Sequence, residues 1–114
     1  MIAVIFEVEP SSGNRELYLN MAASLREELS KIDGFLSVER FESLTQPGRL
    51  LSLSFWRDEA AVVRWRQQDA HRKAQYLGRE KVFAHYRLRV AEVTRDYSLT
   101  DRDQAPTDSR ALHG

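Results

Sequence analysis

Between Leu50 and Tyr97 the chain runs from strand to helix and back to strand, and that order narrows its folds more than any other feature. Leu50-Leu51-Ser52-Leu53-Ser54-Phe55-Trp56 alternates with a period of two, as a half-buried strand does. Asp58 then supplies a helix cap, and Glu59 suits the positive end of the helix dipole. Trp65 and His71 follow, six positions apart. Tyr86-Arg87-Leu88-Arg89-Val90-Ala91-Glu92-Val93 alternates again and leads to Arg95-Asp96-Tyr97. This order describes a small sheet covered by helices, with polar and aromatic groups gathered at one end.

The first half of the chain completes the pattern. Ile2 to Glu9 reads as a strand with Ile2, Val4, Phe6 and Val8 on one face and Ala3 and Ile5 on the other. A strand apolar on both sides is normally covered on both. Pro10 to Asn14 is a turn in which Ser12 or Asn14 can cap a helix. The helix spans Arg15 to Lys31, with an apolar stripe of Leu17, Met21, Leu25, Leu29 and Ile32, and ends at Asp33-Gly34. Phe35 to Leu44 and Arg49 to Trp56 form a hairpin across Gln46-Pro47-Gly48. In it Phe35 and Phe41 share one face of the first strand, and Leu36 and Val38 the other.

Val62 and Trp65 or Arg66 lie one turn apart on the helix after Asp58. Asp69 starts a second short helix over Ala70 to Leu77, which Gly78 ends, and Arg79 to Ala84 is left open. The last strand runs from Tyr86 to Tyr97. Its apolar residues change from even to odd positions at Ala91, which implies a bulge or a strand that passes into a second environment. Residues 98–114 are rich in Asp, Ser, Thr and Gln and read as a solvated polar tail after a domain at residues 1–97.

A chain of 114 residues makes one domain, and at 42% hydrophobic it can bury a core. The 17 basic and 17 acidic side chains cancel and are interleaved, which gives no electrostatic footprint for nucleic acid. With no cysteine, disulfides, thiolate metal sites and cysteine nucleophiles are excluded. Met1 to Phe6 is apolar but too short for a membrane span, and it lacks the basic flank of a signal peptide, so the expectation is a cytoplasmic protein.

Strand, helix, strand, strand, helix, strand is the ferredoxin-like β-α-β-β-α-β pattern, an α+β fold with a four-stranded antiparallel sheet and its helices on one face. The other face is also apolar, in the first strand above all. A second copy of the sheet would cover it, closing a barrel between two subunits of a homodimer.

Several segments carry a family resemblance. They are Val4 to Val8, Ile32-Asp33-Gly34-Phe35, Ser43 to Gly48, Leu51 to Trp56, Trp65 with His71-Arg72, Tyr86 to Ala91, and Arg95-Asp96-Tyr97. Over Met1 to Tyr97 the chain resembles the antibiotic biosynthesis monooxygenase domain of the dimeric α/β-barrel superfamily. The resemblance implies a homodimer, and a cofactor-independent monooxygenase acting on a small aromatic or quinol-type substrate. The alternatives are a non-catalytic dimer that binds a small hydrophobic ligand or acts as a scaffold, and a haem-degrading monooxygenase. The haem-degrading branch has an Asn in the first strand, where this chain has Phe6 and Glu7. It also has a His ten positions beyond its Trp, where this chain has Gln75.

Trp65 is either a core indole or a pocket wall that stacks a flat ligand. His71 is either a helix-start residue bonded to local backbone or a general base for a phenolic proton, since imidazole titrates near neutrality. Glu7 is either ion-paired with Arg87 or Arg89 or a carboxylate inside the cleft. Tyr86, Tyr76 and Arg79 are further candidates for substrate binding. No third ligand is spaced to join His71 and Glu7 around a metal, and no nucleotide-binding motif is present.

Overall fold

The structure, a computed structural model, describes residues 1–68 and 82–113. Its elements are β1 (Ile2–Pro10), α1 (Arg15–Ser30), β2 (Phe35–Glu42), β3 (Leu50–Trp56), α2 (Glu59–Arg66), β4 (Phe83–Glu92) and α3 (Thr107–His113). The four strands form one antiparallel sheet in the order β2-β3-β1-β4, the ferredoxin-like arrangement. The sheet is not closed on itself. The short helix expected over Ala70 to Leu77, its stop at Gly78 and the open stretch from Arg79 to Lys81 lie outside the described residues.

The helices cover the face that carries the even-numbered residues of β1 and β3. Their packing divides into two clusters. Near one end Val8, Leu50 and Val82 surround Tyr18 of α1. Near the other, Trp56 packs with Leu29 of α1 and with Ala61 and Trp65 of α2. On α1 the buried line is Tyr18, Ala22 and Leu29, with Leu25 partly buried. The stripe expected from the sequence began at Leu17, which is 48% exposed. Steps of four, three and four residues from Tyr18 place the buried line one position round the helix from Leu17. Asn14 precedes α1 but does not cap it, because its Nδ2 donates to Ser11 Oγ at 2.7 Å. Asp58 does cap α2: its Oδ1 accepts from the Ala61 N–H at 2.9 Å.

Two strands differ from the sequence reading. A register shift between Phe35 and Ser37 turns Phe35 to the helix-bearing face, where its ring meets Trp56 edge-on at 5.2 Å. Phe41 stays on the opposite face beside Leu51, so the two rings do not share a side. β4 begins at Phe83 and ends at Glu92, short of Tyr97. Its partner β1 runs out there: Ile2 pairs with Glu92, and the last rung is Val93 N–H to Met1 C=O at 3.0 Å. The odd-numbered apolar residues Val93 and Tyr97 therefore follow the strand rather than continue it. The irregularity lies at the other end, between Glu9 and Pro10, where proline has no N–H to give the ladder.

The polar tail has structure of its own. Asp96 N–H donates to Gln104 Oε1 at 2.8 Å, the Arg102 guanidinium lies 5.3 Å from the centre of the Tyr97 ring, Ala105 is buried, and α3 follows.

Candidate functional site

β3 is unusual for a central strand, because its hydroxyls face the helices. Leu50, Ser52, Ser54 and Trp56 point that way, while Leu51, Leu53 and Phe55 point to the open face. The register sets Phe6 of β1 and Arg40 of β2 on either side of Ser52, and Val4 and Val38 on either side of Ser54. On β3 the large Leu50 and Trp56 stand at the two ends of this face, and the two serines leave room between them.

Two adjoining cavities occupy that room. One, of about 140 Å³, lies among Val4, Leu25, Ser54, Trp56, Val62 and Trp65. The other, of about 130 Å³, lies among Tyr18, Met21, Ala22 and Phe83. They share Phe6, Leu25, Arg40 and Ser52 as walls. Trp65 is 8% exposed and also packs in the cluster around Trp56. At the far end Phe83 stacks edge-on to Phe6 and Tyr18, with ring centres 5.8 and 5.7 Å away.

Polar groups in this space are few. Ser54 Oγ accepts from the Trp56 indole N–H at 2.9 Å. Burial pushes the Tyr18 phenol above its usual pKa, and the positive charge of nearby Arg40 opposes the rise. Arg40 Nε is enclosed without a hydrogen-bond partner, the sole side-chain polar atom so placed among the described residues. The described walls carry cations at Arg40 and Arg66 but neither imidazole nor carboxylate. Such a space suits a small, largely apolar molecule held between aromatic edges.

A larger hollow of about 270 Å³ lies at the end of the sheet, bounded by Glu7, Phe41, Glu42, Ser43, Arg49 and Leu51. It is open to solvent, and Glu7 and Arg49 each already hold an ionic partner, Glu7 with Arg89 and Arg49 with Glu9, both at 2.9 Å. The two cavities against the helices, which bring aromatic edges and an unpartnered Arg40 donor together, are the better candidate.

Of the residues singled out from the sequence, Trp65 lines the cavity. Tyr86 stands on the same side of the sheet, half-exposed, with its ring centre 5.9 Å from that of Phe6, but outside the cavity walls. Glu7 faces the opposite side. His71, Tyr76 and Arg79 lie outside the described residues. Arg40, Tyr18 and Ser52 escaped the sequence reading. The available signal was the pair of serines at helix-facing positions of a central strand, with an arginine in register beside them. Among the described residues no group of three His, Asp or Glu side chains could hold a metal, and no helix is long and apolar enough to cross a membrane.

Comparison with known proteins agrees with this fold. The antibiotic biosynthesis monooxygenase family matches residues 1–76, and the chain belongs to that family. It is 52% identical over 94 residues to a protein of Pyricularia oryzae named jasmonate monooxygenase ABM, a match covering 82% of this chain and 44% of that one. A Bacillus subtilis protein, YqjZ, is 36% identical over 62 residues, covering 54% of this chain and 53% of that one. The chain thus spans about half the length of these curated relatives. Among solved structures, Rv0793 of Mycobacterium tuberculosis superposes with a TM-score of 0.76 at 18% identity, covering 85% and 98% of the two chains. A conserved protein of Methanosarcina mazei gives 0.72 at 21% identity, covering 80% and 90%. These two likenesses speak for the fold alone.

Proposed function

We propose that the protein is a monooxygenase that takes a small apolar or aromatic molecule into the space beneath α1 and α2, and that it works as a homodimer without a bound cofactor. The observation that carries the reading is the cavity walled by Trp65 and Trp56 in a chain of this family. The Pyricularia relative, by its name a monooxygenase of jasmonate, supports oxygen transfer to a small organic substrate. For a phenol the reaction balances without any outside reductant. The ring gains one oxygen as a quinone carbonyl, the second oxygen leaves as water, and all four electrons come from the substrate. The phenolic proton needs an acceptor, and His71 is the group assigned to it, with Tyr76 and Arg79 as further contacts.

The test is oxygen uptake by the pure protein with a panel of phenols, hydroquinones and jasmonate. Wild type consumes oxygen with at least one of them, and His71→Ala lowers the rate about a hundredfold or more. Inertness of wild type across the panel removes the proposal. The absence of an imidazole or carboxylate from the described cavity walls favours a second reading, a dimer that binds an apolar ligand without turning it over. Saturable binding with no product on mass analysis separates that case from the first.

A further inference from the structure

We propose that Arg40 makes this cavity the receptor for the carboxylate of a small apolar acid; the proposal rests on reading the cavity as the substrate site. Arg40 stands at the middle of the space, on the wall common to both cavities and in register with Ser52. Its Nε–H is enclosed and donates to nothing. A buried donor left unmade is a rare and unfavourable feature, and one on a charged group more so. No carboxylate among the described residues is paired with Arg40. Its polar neighbours are neutral groups, the Tyr18 phenol oxygen, to which the guanidinium donates a hydrogen bond, and the Ser52 hydroxyl, so the charge itself is not matched by them.

The result is a partly buried guanidinium with no carboxylate partner among the described residues and one unsatisfied donor, set in a wall that includes Phe6, Leu25, Met21 and Val38. A guest that satisfies both features has a hydrocarbon body and one anionic end. The planar guanidinium edge matches a planar carboxylate through paired N–H donors. A phenolate would offer a single oxygen to the fork, and a phosphate dianion would lack the hydrocarbon body that the apolar wall calls for.

The chain has two tryptophans, Trp56 and Trp65, and both line the cavity, so their emission reports occupancy. The probes are cyclohexanebutanoate and 4-cyclohexylbutan-1-ol, alike in body and different in charge, titrated at pH 7 into the full chain. The acid is expected to bind wild type at least about tenfold tighter than the alcohol. Arg40→Met is expected to weaken the acid by a similar factor and to leave the alcohol within about threefold. Equal affinity of wild type for the two probes, no saturable binding of the acid by wild type, or a preference that survives Arg40→Met each overturns the proposal. The wild-type comparison holds even where the variant fails to fold. Oxygen uptake is scored separately. Acid binding with no oxygen uptake across the phenol panel leaves this inference standing and removes the monooxygenase reading, whereas oxygen uptake with a phenol by a wild type that binds acid and alcohol alike does the reverse.

Discussion

Gly34 shows how much one residue can be asked to do. Its φ of +93° belongs to the left-handed region, and a Cβ there would come within 2.7 Å of the Ala61 Cβ on α2, which is itself fully buried. Its carbonyl also accepts from the Arg57 N–H at 2.7 Å. Gly34→Ala is therefore expected to destabilise the fold by about 1–3 kcal/mol, from backbone strain and overpacking together, read as a lower urea midpoint at unchanged slope. In the sequence Gly34 is legible as a helix stop, but its closeness to Ala61 is not, since it depends on how α2 lies against the turn. Trp65 is a second such residue, because it is both core and cavity wall. Trp65→Ala removes a buried indole, with an expected loss of about 3–5 kcal/mol in stability and of ligand-dependent quenching in the remaining Trp56 emission.

At the scale of elements, the start of α2 is tied to the end of α1 by charge. Arg57 Nη1 and Nη2 donate to the two carboxylate oxygens of Asp33 at 3.2 and 3.1 Å, and its Nε donates to Asp58 at 3.2 Å. Arg57 holds the Asp33 carboxyl below its usual pKa, and the Ala61 N–H, then Arg57, does the same for Asp58. A carboxylate whose folded pKa is depressed stabilises the fold above its unfolded pKa and loses that contribution as pH falls. The thermal midpoint should thus stay level from neutrality to about pH 5 and decline below about pH 4, with the decline smaller in Asp33→Asn and blunted by salt because the groups are exposed. Periodicity and caps made the element order readable: Asp58 was recognisable before an apolar helix, and the hairpin at its Pro-Gly turn. The face of a strand was harder to read, because the register shift beside Phe35 reverses one side chain without a mark in the composition. The end of β4 was hidden for a different reason, since it is fixed by where β1 stops.

For the whole molecule, the two-sided apolarity of β1 was visible in the sequence, whereas the cavity was not. Depth has no periodicity, and Arg40, read alone, is one charge among many on strands and helices. The open face presents Ile5, Leu51, Leu53, Phe55 and Phe41 as a continuous apolar surface across three strands. If a second copy covers it, Leu53→Glu should sediment as a monomer at concentrations where wild type is dimeric, and a monomeric wild type would rule out the shared barrel. β3 turns its serines toward the cavity and Leu51 and Leu53 toward the open face, so a single layer of backbone separates the two. With a second copy seated on the open face, a shift of that ribbon on admitting a molecule would be felt at the seam between subunits, and the tightness of the seam would limit how far the ribbon could give way.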